Sequence, residues 1–146
     1  MEYMKVKKLS ENAVVPVRAT PGSAGMDLYA CLEKPVTLKK GENAVVPTGI
    51  AIELPSDSLV AYIFARSGLA VKHGITLANC VGVIDSDYRG EIKVGLVNLY
   101  NEEYTINSGE RIAQLVVSPV SLITPVEADE LGETGRGAGG FGSTGK

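Results

Sequence analysis

The sequence predicts an all-β domain, a barrel or two-sheet sandwich with one short helix and a flexible glycine-rich C-terminal arm, and three observations carry that prediction. Apolar and small or polar residues alternate, as in Ile50, Ile52 and Leu54 against Ala51 and Glu53, which is the period of a half-buried strand. Runs rich in Val, Ile, Leu and Tyr are short and are punctuated by Pro, Gly, Asn, Asp or Ser, the residues that make turns. No long stretch repeats at the helical period, so helices have little place in the chain.

Taken in order, strands are expected over residues 36–38, 44–54, 59–65, 90–99 and 112–119, and a further apolar strand starts at Asp27. One helical segment of about two turns is expected over Ser67–His73, with Ser67 as its N-cap and Gly74 closing it. After Pro125 the apolar pattern fades through Glu127, Asp129, Glu130 and Glu133. That places the barrel domain at residues 1–125 and the arm at 126–146.

A chain of 146 residues suits one domain with a core of its own. Its formal net charge of −3 includes no basic block, so long nucleic acid finds no electrostatic footing, and an anionic ligand must be met by cations placed locally. Cys31 and Cys80 sit in apolar runs without metal-type spacing and read as buried thiols of a reducing compartment. The first ten residues are charged, and no apolar run reaches membrane-spanning length; the expected location is cytoplasmic, without a membrane.

The arm is the most unusual segment. Residues 132–146 hold seven glycines, two cations, Ser143, Thr144 and one aromatic, Phe141. Glycine loses the most conformational entropy on ordering and buries no side chain, so this segment is expected to be disordered when alone. Its backbone N–H groups, hydroxyls and cations nevertheless suit a phosphate chain, and its ring suits a base. Residues 140–146 spell the front of a P-loop, but without the following Ser/Thr and helix that a P-loop requires.

Four internal segments place polar residues among glycines. Asp27 lies in Ala24-Gly25-Met26-Asp27-Leu28-Tyr29-Ala30, where a turn carboxylate and a functional one are both possible readings. Arg66, Ser67 and Gly68 meet at a strand-to-helix junction, offering a planar fork, a hydroxyl and free N–H groups to phosphate; a plain helix cap is the alternative. His73 stands alone and reads as a turn or surface residue. In Gly82-Val83-Ile84-Asp85-Ser86-Asp87-Tyr88-Arg89-Gly90, Asp85 follows an apolar pair and is the candidate for a partly buried carboxylate that takes a proton from water. Asp87 is expected to be solvated, and Tyr88 is placed to pack on a sugar or base. A hairpin turn is the alternative for that segment. Gln114, in Gly109-Glu110-Arg111-Ile112-Ala113-Gln114, is an amide inside a strand, which calls for a specific partner. No nucleophile-plus-histidine arrangement is visible, which favours direct attack by water.

These five segments, in this order and spacing, resemble the five motifs of the trimeric dUTP pyrophosphatase (dUTPase) family, from Ala24 to Gly145. The resemblance implies a jelly-roll, or distorted β-barrel, fold and a homotrimer with three active sites shared between chains. It implies hydrolysis of dUTP to dUMP and pyrophosphate by in-line attack of water on the α-phosphorus, which removes dUTP from the DNA precursor pool and supplies dUMP for dTMP synthesis. Asp85 would be the general base, with Ser67 and Gln114 also catalytic. Arg66, Ser67, Gly68 and Gln114 would hold the phosphates, Asn79 and Val83 would line a hairpin that reads uracil, and Tyr88 would pack under the deoxyribose. Mg2+ would be held mainly by the substrate phosphates, with Asp27 reaching it only through water. From the arm, Arg136 would meet the γ-phosphate, Phe141 would cover the uracil, and Gly142, Ser143 and Thr144 would complete the phosphate contacts. Residues 133–146 can extend to roughly 46 Å, against a domain radius of gyration of about 14 Å, so the arm can reach a neighbouring subunit's site.

Overall fold

The computed structural model describes residues 3–142 as a jelly-roll-like, distorted β-barrel of short strands around a single core, with one short helix. The strands are β1 (Lys5–Lys8), β2 (Met26–Tyr29), β3 (Val36–Leu38), β4 (Asn43–Pro47), β5 (Ile50–Glu53), β6 (Leu59–Phe64), β7 (Ile75–Leu77), β8 (Gly82–Ile84), β9 (Lys93–Asn98), β10 (Tyr104–Ile106) and β11 (Arg111–Pro119). They form a four-stranded sheet in the order β2-β11-β6-β8, a three-stranded sheet β4-β9-β7, and the pairs β1-β5 and β10-β3. Every ladder is antiparallel, so inward and outward residues alternate as the sequence pattern requires. The inward rows, including Leu28, Ile50, Ile92, Leu96, Ile112 and Leu115, are fully buried in one continuous cluster.

The expected strand over 44–54 is two strands, β4 and β5, which pair with different partners. Gly49 separates them at φ 68°, and a Cβ there would come within 2.8 Å of the Cys31 sulfur and 2.9 Å of the Ala13 methyl. Only glycine combines that left-handed turn with so close an approach. β1, β7, β8 and β10, four residues long or shorter, are elements too brief to leave a period in the sequence.

The helix α1 spans Ser67–His73, as expected, and ends on Gly74 in the left-handed conformation. Its N-cap, however, is Arg66, at φ −88° and ψ 129°, with no side-chain cap. Ser67 is the first helical residue, so its hydroxyl is not consumed in capping. The thiols also differ from expectation: Cys31 is only partly buried and Cys80 is exposed, because Cys80 falls in the turn after β7, where its φ of 66° and its N–H bond to the Leu77 carbonyl turn the chain. Beyond β11 the chain has no strand or helix through residue 142, and residues 121–138 are exposed throughout. Among the described residues no helix is long and apolar enough to cross a membrane.

Candidate active site

The adjacent strands β2, β11 and β6 bring three of the four internal motifs together. Gln114 on β11 lies opposite Asp27 on β2 and opposite Phe64 on β6, and the chain leaves β6 through Ala65 and Arg66 into α1. Arg66 Nε donates to Asp27 Oδ1 at 2.9 Å, and Arg111 Nη1 meets Asp27 Oδ2 at 3.5 Å. The Asp27 side chain is 14% exposed and that of Arg66 27%, so the pair is partly withdrawn from water and less screened than a surface ion pair. Arg66 spends only Nε on this contact; its two terminal nitrogens make no hydrogen bond among the described residues and keep a fork for an anion.

Gln114 is the strand amide that needed a partner, and its Nε2 donates to the Ala65 carbonyl at 3.0 Å. The opposite end of that amide lies against Gly25, where any Cβ would collide with Oε1. The glycine of the first motif therefore makes room for the glutamine of the fourth. Ser67 and Gly68, at the start of α1, are both exposed. Asp27, Arg66, Arg111 and Gln114 thus form one cluster, with Ser67 and Gly68 following Arg66 at the helix start, and its single carboxylate is met by two guanidinium groups.

The third motif is elsewhere. β8 is the outer strand of its sheet, paired only with β6, and Asp85 follows directly on Ile84, which faces Ala61. Gln114 faces Phe64, at the other end of β6 and on its other side. At ~3.3 Å per residue and ~4.8 Å per strand spacing, the backbones at Asp85 and Gln114 are roughly 16 Å apart. Asp85 is exposed, contrary to the partly buried carboxylate expected, because among the described residues no strand pairs with the open side of β8. Asp87 is exposed as well. Asp85 and Asp87 line an open cavity of about 520 Å³ with Asp57, Tyr62, Val83 and Leu122.

The turn itself is well specified. The Tyr88 N–H donates to the Asp85 carbonyl at 3.1 Å, and Arg89 Nη1 donates to the carbonyls of Ser86 and Tyr88 at 2.7 and 3.0 Å. Tyr88 stays 44% exposed, with its hydroxyl on the Glu91 carbonyl. Val83 is 59% exposed on β8 and Asn79 is exposed in the connection before it. That connection is not a hairpin: β7 pairs with β9 and β8 with β6, so the segment crosses between two sheets. His73 is exposed, and its ring lies against the half-buried Tyr104 ring, with centroids 4.9 Å apart and planes tilted by 48°. Tyr104 has its pKa raised above the ordinary tyrosine value, first by burial and then by the charge and hydrogen bond of Glu110.

From the arm, Arg136 folds back so that Nε donates to the Gly139 carbonyl at 2.7 Å. Phe141 is fully exposed at φ 52°, next to Gly142 at φ 85°. Ser143 and Thr144 lie outside the described residues. Arg111 escaped the sequence reading, and its signal was present: it stands three residues before Gln114, where regular alternation points it away, and only a β-bulge brings it back.

The chain is thus a jelly roll with a cluster of charged and amide side chains at one end of its four-stranded sheet and an exposed acidic turn at the other. The dUTPase family model matches residues 11–145. Curated relatives named deoxyuridine 5'-triphosphate nucleotidohydrolase include one from Neorickettsia sennetsu, 57% identical over 99% of this chain and 97% of its own, and one from Rickettsia felis, 56% identical over 97% and 96%. Among solved structures, the dUTPase of Staphylococcus bacteriophage 80alpha with dUPNHPP superposes at a TM-score of 0.89, with 29% identity and all of both chains covered. The chain belongs to the dUTPase family.

Proposed function

We propose that this protein hydrolyses dUTP to dUMP and pyrophosphate, with Asp85 as general base, at sites completed by neighbouring copies in a homotrimer. The observation that carries this reading is the separation between the exposed Asp85 turn and the Arg66–Gln114 cluster at opposite ends of β6. A general base must lie within hydrogen-bond reach, directly or through one water, of the proton it takes. One chain does not bring Asp85 to phosphates held at its own Arg66, whereas the acidic turn of one copy set against the cationic cluster of another does.

In that site Arg66, Ser67, Gly68 and Gln114 hold the phosphate chain, and the exposed part of Tyr88 packs on the deoxyribose. Asn79 and Val83 border the uracil. The Asp85 carboxylate accepts a proton from water as the water oxygen bonds to the α-phosphorus; the bond from that phosphorus to the bridging oxygen breaks, and pyrophosphate leaves with the electron pair. Aligning water, base and phosphorus removes much of the entropic barrier, and the guanidinium and amide donors stabilise charge on the phosphate oxygens.

Mg2+ fits this site. Each Asp27 oxygen meets one guanidinium and retains acceptor capacity for a metal-bound water, so Asp27 would hold the ion through water while the substrate phosphates hold it directly. When bound, the ion neutralises phosphate charge. The arm, residues 126–146, closes over a neighbour's site: Arg136 toward the γ-phosphate, Phe141 over the uracil, and Gly142, Ser143 and Thr144 along the phosphates. The reaction removes dUTP from the DNA precursor pool and supplies dUMP for dTMP synthesis, a cytoplasmic task.

The test is magnesium-dependent pyrophosphate release from dUTP against dTTP, dCTP and UTP. Release from dUTP alone is expected; equal turnover of UTP, or ammonia release from dCTP, would overturn the assignment.

A further inference from the structure

β11 carries a β-bulge in its ladder with β2. Its register against β2 runs Leu115↔Met26, Gln114↔Asp27 and Ala113↔Leu28, then jumps so that Arg111 faces Tyr29. Ile112 is the extra residue, and both Ile112 and Ala113 are buried, at 1% and 0% exposure, where regular alternation would bury only one of them. Without the bulge Arg111, three positions from Gln114, would leave on the opposite face. With it, Arg111 shares the face of Tyr29 and of Asp27, two residues away, and its Nη1 reaches Asp27 Oδ2. Bulges re-aim side chains beside functional sites at the expense of ladder pairing.

The side chain that gains is Arg66. Asp27 binds it through Nε, which leaves both terminal nitrogens without a hydrogen bond among the described residues. A carboxylate held on one oxygen alone can rotate about its own side-chain bonds and carry Arg66 with it. Arg111, half exposed, holds the second oxygen.

We infer that Arg111 is a positioning residue for the triphosphate: through Asp27 it pre-sets the Arg66 fork, and the bulge at Ile112 exists to deliver it. The inference rests on the proposed role of Arg66 in holding phosphate. Its test is binding of the imido analogue dUpNHpp and of dUMP to the full-length protein, by calorimetry, in wild type, R111Q, R111K, D27N and the R111Q/D27N double variant. R111Q is expected to weaken the analogue roughly tenfold, in line with the loss of a partner that orients a ligand-binding group. Affinity for dUMP, which lacks the outer phosphates, should change by less than about twofold, and R111K, a charge without the planar fork, should recover part of the loss. Because Arg111 acts through Asp27, R111Q should add less than about twofold to D27N. An R111Q protein that binds the analogue as wild type does, or whose losses are equal for dUMP and analogue or fully additive with D27N, overturns the inference and leaves the dUTP assignment standing. A wild type that binds neither ligand overturns both.

Discussion

The two halves of the site are built in opposite ways. At the β2-β11-β6 end, Asp27, Arg66, Arg111 and Gln114 are tied to one another or to the backbone within a single chain, and Gly25 is shaped around one of them. At the β8 end, backbone hydrogen bonds fix the turn, yet the side chains of Asp85, Asp87 and Val83 face open solvent. The difference teaches where preorganisation is needed. Donors that meet phosphate charge are most effective when already fixed, while under the proposed function the acidic turn is completed only when a neighbouring copy covers it.

The largest effect should come from the open half. Asp85→Asn removes the proposed proton acceptor and is expected to lower kcat by roughly 10²–10⁴-fold while analogue binding is retained, measured by steady-state release and calorimetry. An unchanged rate would move the base elsewhere. Next is the arm: removing residues 134–146 should leave the oligomer folded and lower turnover severely, because water is no longer excluded from the site. Light scattering, circular dichroism and a rate assay together check this, and full activity in the truncated protein would detach the arm from the site.

The sequence made some of this legible and hid the rest for physical reasons. β3 and the helix Ser67–His73 match their expected bounds, and β6, β9 and β11 fall within a few residues of theirs, because alternation and flanking turn residues are local signals. The Gly49 break in 44–54 was hidden because its cause, the approach of Ala13 and Cys31, comes from distant parts of the chain. Asp27, Arg66 and Gln114 were readable as candidates, since each places a polar group where the strand pattern wants an apolar one. Their mutual contacts were not readable, because strand order sets them. Arg111 was passed over for the same reason: a bulge is a property of a ladder, not of a strand.

The smallest expected effect lies at the edge of the prebuilt half. Tyr104 has a raised pKa, so the folded state holds that proton more tightly than the unfolded state, and stability must fall as pH rises above the ordinary value of 10.0. Thermal melts across that range should show a steeper alkaline loss in wild type than in Tyr104→Phe. Equal slopes would mean that burial and Glu110 do not act on Tyr104 as described.

Subunit mixing tests the central claim, that each active site joins the Asp85 turn of one chain to the Arg66–Gln114 cluster of another. Asp85→Asn and Arg66→Ala proteins, each inactive alone, are to be mixed, dissociated and reassembled, then assayed for pyrophosphate release from dUTP. Shared sites predict that activity returns in the mixture, since some sites then pair an intact Asp85 with an intact Arg66 from different chains. A mixture as inactive as its components, with hybrid oligomers demonstrated, would place the whole site within one chain and contradict the account.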